Sequence, residues 1–149
     1  MESLIQPTVT AKLFMPRPDA DQSELIQSWI KRAEEDWKVA KTLLKSEGDF
    51  ANTVCFHCQQ VAEKYLKALL TYWQTPFSKT HDLSELLKVV SKRKAVLALH
   101  LESIERLSPY AVATRYPDGI HDLGQNDAQE ALKLAELVRK EVKKILKTK

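Results

Sequence analysis

The apolar residues Ile26, Ile30, Ala33, Trp37, Ala40 and Leu44 follow one another at spacings of three and four, the stripe that one face of an α-helix presents to a core. Asp21, with Glu24 three residues on, has the pattern of a capping box ahead of that stripe, and Gly48 is placed to end it. Asp49 is then expected to cap a second helix from Phe50 to about Trp73. Here the apolar set is wider: Val54, Cys58, Val61, Tyr65, Ala68 and Tyr72 on one line, with Cys55, Ala62, Leu66, Leu69 and Trp73 beside it. A stripe that broad predicts a helix packed on more than one side, the centre of the fold. After the break at Thr75-Pro76, Asp82 and Glu85 form a cap pair ahead of Leu83, Leu86, Leu87 and Val90, a short third helix. Leu97, Leu101, Ile104 and Leu107 line a fourth helix that stops at Pro109. Asn126 with Gln129 opens a last helix whose stripe is Ala128, Ala131, Ala135, Val138, Val142 and Ile145.

The short connection between the first two helices implies an antiparallel hairpin, and the whole pattern predicts an all-α, up-and-down antiparallel bundle of four to five helices. Residues 1–22 carry Pro7, Pro16 and Pro18 without a sustained period and read as an extended N-terminal arm, leaving 23–149 as the bundle domain. A chain of 149 residues is the size of one ordinary domain. Its composition, 44% hydrophobic and 29% charged with only three glycines, suits helices.

The longest apolar runs are a few residues, far short of the roughly 18 needed to span a bilayer, and the N-terminus lacks the pattern of a secretory leader. The expectation is a cytoplasmic protein without membrane contact. Cys55 and Cys58 lie within one predicted helix, which speaks against a disulfide framework. With His57 they offer three potential ligands on one helix, but a tetrahedral site wants a fourth from elsewhere, and cysteines on core lines are more often small buried hydrophobes. No metal and no cofactor are expected. The formal net charge is +3, concentrated in Lys133, Arg139, Lys140, Lys143, Lys144, Lys147 and Lys149 of the last helix. The plainer reading is a solvated helix end whose cations complement the helix dipole; a track for a polyanion is the other.

From Ser108 to Gln125 neither a helical nor a strand period can be found, and a structureless stretch of that length inside a compact domain is more often functional than decorative. It holds Tyr110, Arg115, Tyr116, Asp118, His121 and Asp122. Arginine takes phosphate oxygens bidentately, tyrosine stacks on a base, and histidine titrates near neutrality, so the set suits nucleotide or RNA recognition. The alternative is structural, with Arg115 pairing Asp118 and the tyrosines plugging the end of the bundle. His81 stands at a predicted helix start, where Asp82 and Thr80 can cap and where phosphate is also attracted. His57 and Gln60, off the apolar lines, are candidates to face a cleft beneath the loop.

The run Cys55-Phe56-His57-Cys58-Gln59-Gln60-Val61-Ala62-Glu63-Lys64-Tyr65-Leu66-Lys67-Ala68-Leu69-Leu70, then Lys79-Thr80-His81-Asp82-Leu83-Ser84-Glu85-Leu86-Leu87, then Tyr110 and Arg115-Tyr116-Pro117, resembles the succession of motifs in HEPN-domain proteins over roughly residues 24–147. That resemblance implies an antiparallel helical bundle, a homodimer, and a partner that is a minimal nucleotidyltransferase, in the manner of a toxin and its antitoxin. Many members of the wider superfamily are metal-independent endoribonucleases with an Arg, four to six residues and a His just before the last long helix. Arg115 and His121 have that spacing and that position. The resemblance thus implies Arg115 and His121 as catalytic candidates, and Tyr110, Arg115, Tyr116, His81 and His57 as nucleotide- or RNA-binding candidates. Pro117 and Gly119 interrupt the intervening segment, so nucleotide or RNA contact without cleavage remains open, as does a helical dimerisation module without chemistry.

Overall fold

The computed structural model describes residues 13–14, 22–112, 117 and 122–147. Five α-helices are described: α1 (Gln22–Lys45), α2 (Ala51–Tyr72), α3 (Leu83–Arg93), α4 (Ala95–His100) and α5 (Gln125–Leu146). A 3₁₀ segment, Glu102–Ala111, follows α4. Two short strands, β1 (Leu13–Phe14) and β2 (Phe77–Ser78), pair antiparallel, Leu13 opposite Ser78 and Phe14 opposite Phe77. The architecture is the expected all-α antiparallel bundle. No described helix is long and apolar enough to cross a membrane.

α2 is the centre because both of its apolar lines are covered as far as Leu70; Tyr72, expected on one of them, is exposed at the helix end. Val54, Cys55, Cys58, Val61, Ala62, Tyr65, Leu66, Ala68, Leu69 and Leu70 are all buried. α1 lies along one side with Ile30, Ala33 and Ala40 inward. The Gln22 side chain fixes the far end of this hairpin by donating to the carbonyls of Thr71 (3.2 Å) and Tyr72 (3.0 Å). α5 lies along another side through Ala128, Ala131, Ala135, Val138 and Val142, small residues in the first turns that let the two backbones approach. α3, α4 and the 3₁₀ segment close the remaining side through Leu83, Leu86, Val90, Leu101, Ile104 and Leu107.

Helix ends explain where the local pattern misleads. Asp21, the expected cap of α1, lies outside the described residues. Gly48 has φ +130°, a conformation open to glycine alone, and it turns the chain between α1 and α2. The residue that caps α2 is Phe50, with no side-chain hydrogen bond, and not Asp49. Asp82 caps α3 as expected: its Oδ1 accepts from the Ser84 amide at 2.9 Å, while Thr80 Oγ1 accepts from the Asp82 amide at 3.0 Å. α5 begins at Gln125, one residue before the expected Asn126, because Asp127 reaches back to accept from the Gly124 amide at 2.8 Å. The expected fourth helix is two pieces. Leu101 ends α4, and the 3₁₀ segment carries the chain through Pro109 to Ala111. Pro109 has no amide hydrogen to donate, yet Leu97, Leu101, Ile104 and Leu107 keep their inward face across the change of helix type.

Candidate functional site

Through the apolar interior of α2 runs one polar line, Gln59, Glu63, Lys67 and Thr71, each four residues after the last and all buried. Such groups are tolerable only if every donor and acceptor is answered. Glu63 Oε2 accepts from Lys67 Nζ at 2.9 Å. Its Oε1 accepts from Gln59 Nε2 at 3.1 Å and from His81 Nδ1 at 2.9 Å. Gln59 also donates to the His81 carbonyl at 2.9 Å and accepts from Gln60 Nε2 at 2.7 Å. The Lys67 ammonium stands 5.6 Å from the Trp29 ring centroid, a cation–π contact, and Thr71 donates to the Lys67 carbonyl. Burial alone would raise the pKa of Glu63, but the Lys67 charge and the bonds from Lys67, His81 and Gln59 outweigh it and lower the value. Glu63 is therefore ionised, and His81 donates through Nδ1. Among the described residues no bond is made by the Nε2 of His81, on a side chain 63% exposed.

One anchor of the segment that carries Arg115, Tyr116 and His121 is at Leu83, two residues after this histidine. Ser108 Oγ accepts from the Leu83 amide at 2.9 Å, tying the first turn of α3 to the 3₁₀ segment just before Tyr110. Tyr110 is half-buried against the core, and its phenol is raised first by burial and then by the nearby Cys55 and Asp127. On the other flank, the Leu123 amide donates to Asn52 Oδ1 in the first turn of α2 at 3.2 Å. One flank thus closes on the first turn of α3 and the other on the first turn of α2. Arg115, Tyr116 and His121 themselves lie outside the described residues, as does any pairing of Arg115 with Asp118 or approach of Arg115 to His121.

His57 sits elsewhere. It is six residues before Glu63, so it projects from a different side of α2, where its Nδ1 donates to Asp36 Oδ1 on α1 at 2.7 Å. Lys64 Nζ holds the other oxygen of Asp36 at 2.6 Å. Among the described residues no bond joins His57 to His81. Cys55 and Cys58 are buried free thiols; burial pushes Cys55 up to about 12 and raises Cys58 as well. Among the described residues no three His, Cys, Asp or Glu side chains gather as a metal site. His100 lies 3.6 Å from Glu141 on α5.

A second polar knot joins α1, α2 and α5. Arg139 grips Glu34 through Nε (2.8 Å) and a terminal nitrogen (3.0 Å), Lys143 stands at 3.6 Å, and the Tyr65 hydroxyl donates to the same carboxylate. Burial works to raise Glu34, but the bonds from Arg139 and Tyr65 and the charges of Arg139 and Lys143 prevail and hold it at about 2. A folded-state pKa below the ordinary 4.5 means that the unfolded chain takes up the proton first as pH falls. The stability from Glu34 is present above about pH 4.5 and is lost as pH falls toward 2. Urea midpoints measured across that window should fall for the native chain and fall less for Glu34→Gln; identical slopes would contradict the assignment.

Sequence reasoning did not single out Glu34, Asp36, Gln59 or Glu63. The signal was there for Gln59, Glu63 and Lys67, polar residues at a period of four set beside the two apolar lines of α2. Asp36 was signalled by its place between Ala33 and Ala40 on the inward stripe of α1.

The profile of the HEPN domain matches residues 26–145. The chain belongs to the HEPN family. A relative from Methanocaldococcus jannaschii described as "Putative toxin MJ1304" is 35% identical over 136 residues, which cover 81% of this chain and 88% of that protein. Among solved structures, TT1696 from Thermus thermophilus superposes with a TM-score of 0.68 at 26% identity, covering 80% of this chain and 96% of that one. ST0689, described as an archaeal HEPN homologue, superposes with a TM-score of 0.61 at 25% identity, over 79% of this chain and 94% of its own. The HEPN motifs that carried the resemblance fall on α2, on the start of α3 and on the segment before α5.

Proposed function

We propose that this HEPN protein acts in a toxin–antitoxin-like system as a homodimer that binds RNA and cleaves it without a metal, held in check by a minimal nucleotidyltransferase. The observation that carries the reading is His81, whose Nδ1 is held by the buried Glu63 on a side chain 63% exposed, two residues before the Leu83 amide that anchors Ser108, on one flank of the segment bearing Arg115 and His121. An imidazole oriented by a carboxylate, with its second nitrogen open, is the arrangement that general-base catalysis uses. The relative described as a toxin supports the biological setting.

In the proposed step His81 Nε2 takes the proton of a ribose 2′-hydroxyl, and the 2′-oxygen attacks the adjacent phosphorus. The bond to the 5′-oxygen breaks as protonated His121 supplies that oxygen with a proton. Arg115 stabilises the charge that develops on the phosphoryl oxygens. Tyr110 and Tyr116 stack on the flanking bases. The two-fold axis of a homodimer supplies a second copy of each group without adding sequence. His57, turned to Asp36 on another side of α2, has no part in this step.

The test is incubation of purified protein with end-labelled RNA in excess EDTA, beside sedimentation at micromolar concentration. Expected are a dimer and fragments ending in 2′,3′-cyclic phosphate and 5′-hydroxyl. Binding without cleavage would reduce the reading to nucleotide or RNA recognition. Neither binding nor cleavage would leave the interaction module.

A further inference from the structure

On the outer face of the bundle α1 and α5 bound a groove of about 530 Å³, lined by Glu34, Trp37, Lys38, Lys41, Thr42, Lys45 and Arg139. Its charges are four cations against one carboxylate, and that carboxylate is already taken up. Glu34 is gripped by both arms of Arg139, with Lys143 and Tyr65 completing its shell. Lys38, Lys41 and Lys45 are different: all three are exposed, and none has a carboxylate within ion-pair distance among the described residues. Arg139, Lys143 and Lys144 of α5 fold back onto glutamates, while Lys133, Lys140 and Lys147 have no carboxylate within ion-pair distance among the described residues; what sets α1 apart is that three such lysines line one groove.

The three lysines fall at intervals of three and four residues on one face of α1, rising roughly 4.5 and 6 Å between neighbours. They form a line of flexible point charges spaced like the charges of an extended anionic chain, with the Thr42 hydroxyl among them. Single-strand grooves commonly add an aromatic side chain on which bases stack. Here Trp37 is already engaged, with Arg139 at 5.0 Å and Lys41 at 5.6 Å from its ring centroid. The groove therefore grips charge and leaves bases unread. Its Lys45 end adjoins the start of α5, where Gln125 Nε2 donates to the Leu44 carbonyl at 3.4 Å, the same end of the bundle at which Leu123 is anchored.

We infer that this groove is a binding track for the sugar–phosphate backbone of a single-stranded nucleic acid, gripped by phosphate and without regard to base sequence. The inference stands on the groove alone and needs no cleavage at His81.

Fluorescence anisotropy with a labelled 12-residue oligouridylate, over a salt series in EDTA, tests it. The variant K38Q/K41Q/K45Q should lose about 100-fold in affinity at ~0.1 M salt and flatten the slope of log K against log salt by about 2, the loss of three phosphate contacts on a single strand. K38R/K41R/K45R should keep both, since only the charge is read. K88Q/K92Q/K94Q removes the same charge from exposed positions on and just after α3 and should keep most of the affinity. An oligocytidylate should bind within a few-fold of the oligouridylate. The inference is overturned if the native chain does not bind, if the α1 variant keeps the native slope, or if the α3 variant loses as much. It is also overturned if polyglutamate of equal charge competes as well as the oligonucleotide, which would point to an acidic protein partner. Because cleavage is not the readout, a native slope in the α1 variant would sink this track and leave the proposed chemistry standing, whereas absent cleavage would leave the track standing.

Discussion

Replacing Glu63 by alanine is expected to destabilise the protein by about 3 to 5 kcal/mol, the cost of stripping one partner from a buried ion pair. The size follows from what the substitution leaves behind. The Lys67 side chain is 9% exposed and its ammonium has Glu63 as its ion partner. Without the carboxylate that charge stays in the interior beside Trp29, and a donor of the fully buried Gln59 loses its acceptor. Glu63→Gln keeps the shape and one acceptor but removes the charge, and should cost less. The double variant Glu63→Met with Lys67→Met should recover much of the loss, since removing both charges removes the desolvation penalty along with the attraction. Urea unfolding of the four proteins checks this. A single alanine variant within about 0.5 kcal/mol of the native chain, the scatter of ordinary surface substitutions, would show that the network is dispensable.

The same network marks the boundary between what the sequence makes legible and what it hides. The helices were legible because burial needs only a period: Ile30, Ala33 and Ala40 on α1, and Ala128, Ala131 and Ala135 on α5, are where a stripe of three and four places them. The breadth of the stripe on α2 foretold its central place for the same reason. Helix ends were less legible, because a cap is a local competition. Asp127 reached back to Gly124, and Phe50 took the position before α2 without any side-chain bond. The passage from α4 into a 3₁₀ segment through Pro109 changes the hydrogen-bond register without changing which residues face inward, and the apolar pattern is blind to that difference.

The candidate site was legible in its residue types but not in its partnerships. His81 stands out in the sequence for its place just before a helix, whereas its distinguishing feature is a carboxylate eighteen residues earlier on α2. The sequence pairs His57 with Gln60, yet Asp36, twenty-one residues earlier, holds it on a different side of α2. Long-range side-chain pairs of this kind leave no period in a single sequence. Arg115, Tyr116 and His121 are supported by their spacing and by the HEPN pattern, and their places in the proposed site remain expectations of the sequence.

Under the proposed reaction, His81→Ala is expected to lower the rate of RNA cleavage by about 10²-fold or more, the range over which a positioned general base contributes, while leaving the fold intact. These two outcomes separate because His81 faces both ways. Its ring is 63% exposed, so truncation removes little buried surface, and Glu63 keeps Lys67 and Gln59 as donors. The chemical role rests on Nδ1 keeping its proton toward Glu63, so that in the neutral ring Nε2 is the nitrogen that can accept one. Glu63→Gln should therefore also depress cleavage, through the wrong tautomer or a loosened ring, with RNA affinity less affected than the rate. His57→Ala should leave cleavage near the native rate, because its bond to Asp36 lies on another side of α2. Single-turnover rates at saturating protein, set beside binding isotherms, divide the step from the affinity. If His81→Ala cleaves at the native rate while Arg115→Ala does not, the base is another group, and the carboxylate-held imidazole serves the packing of α3 against α2 alone.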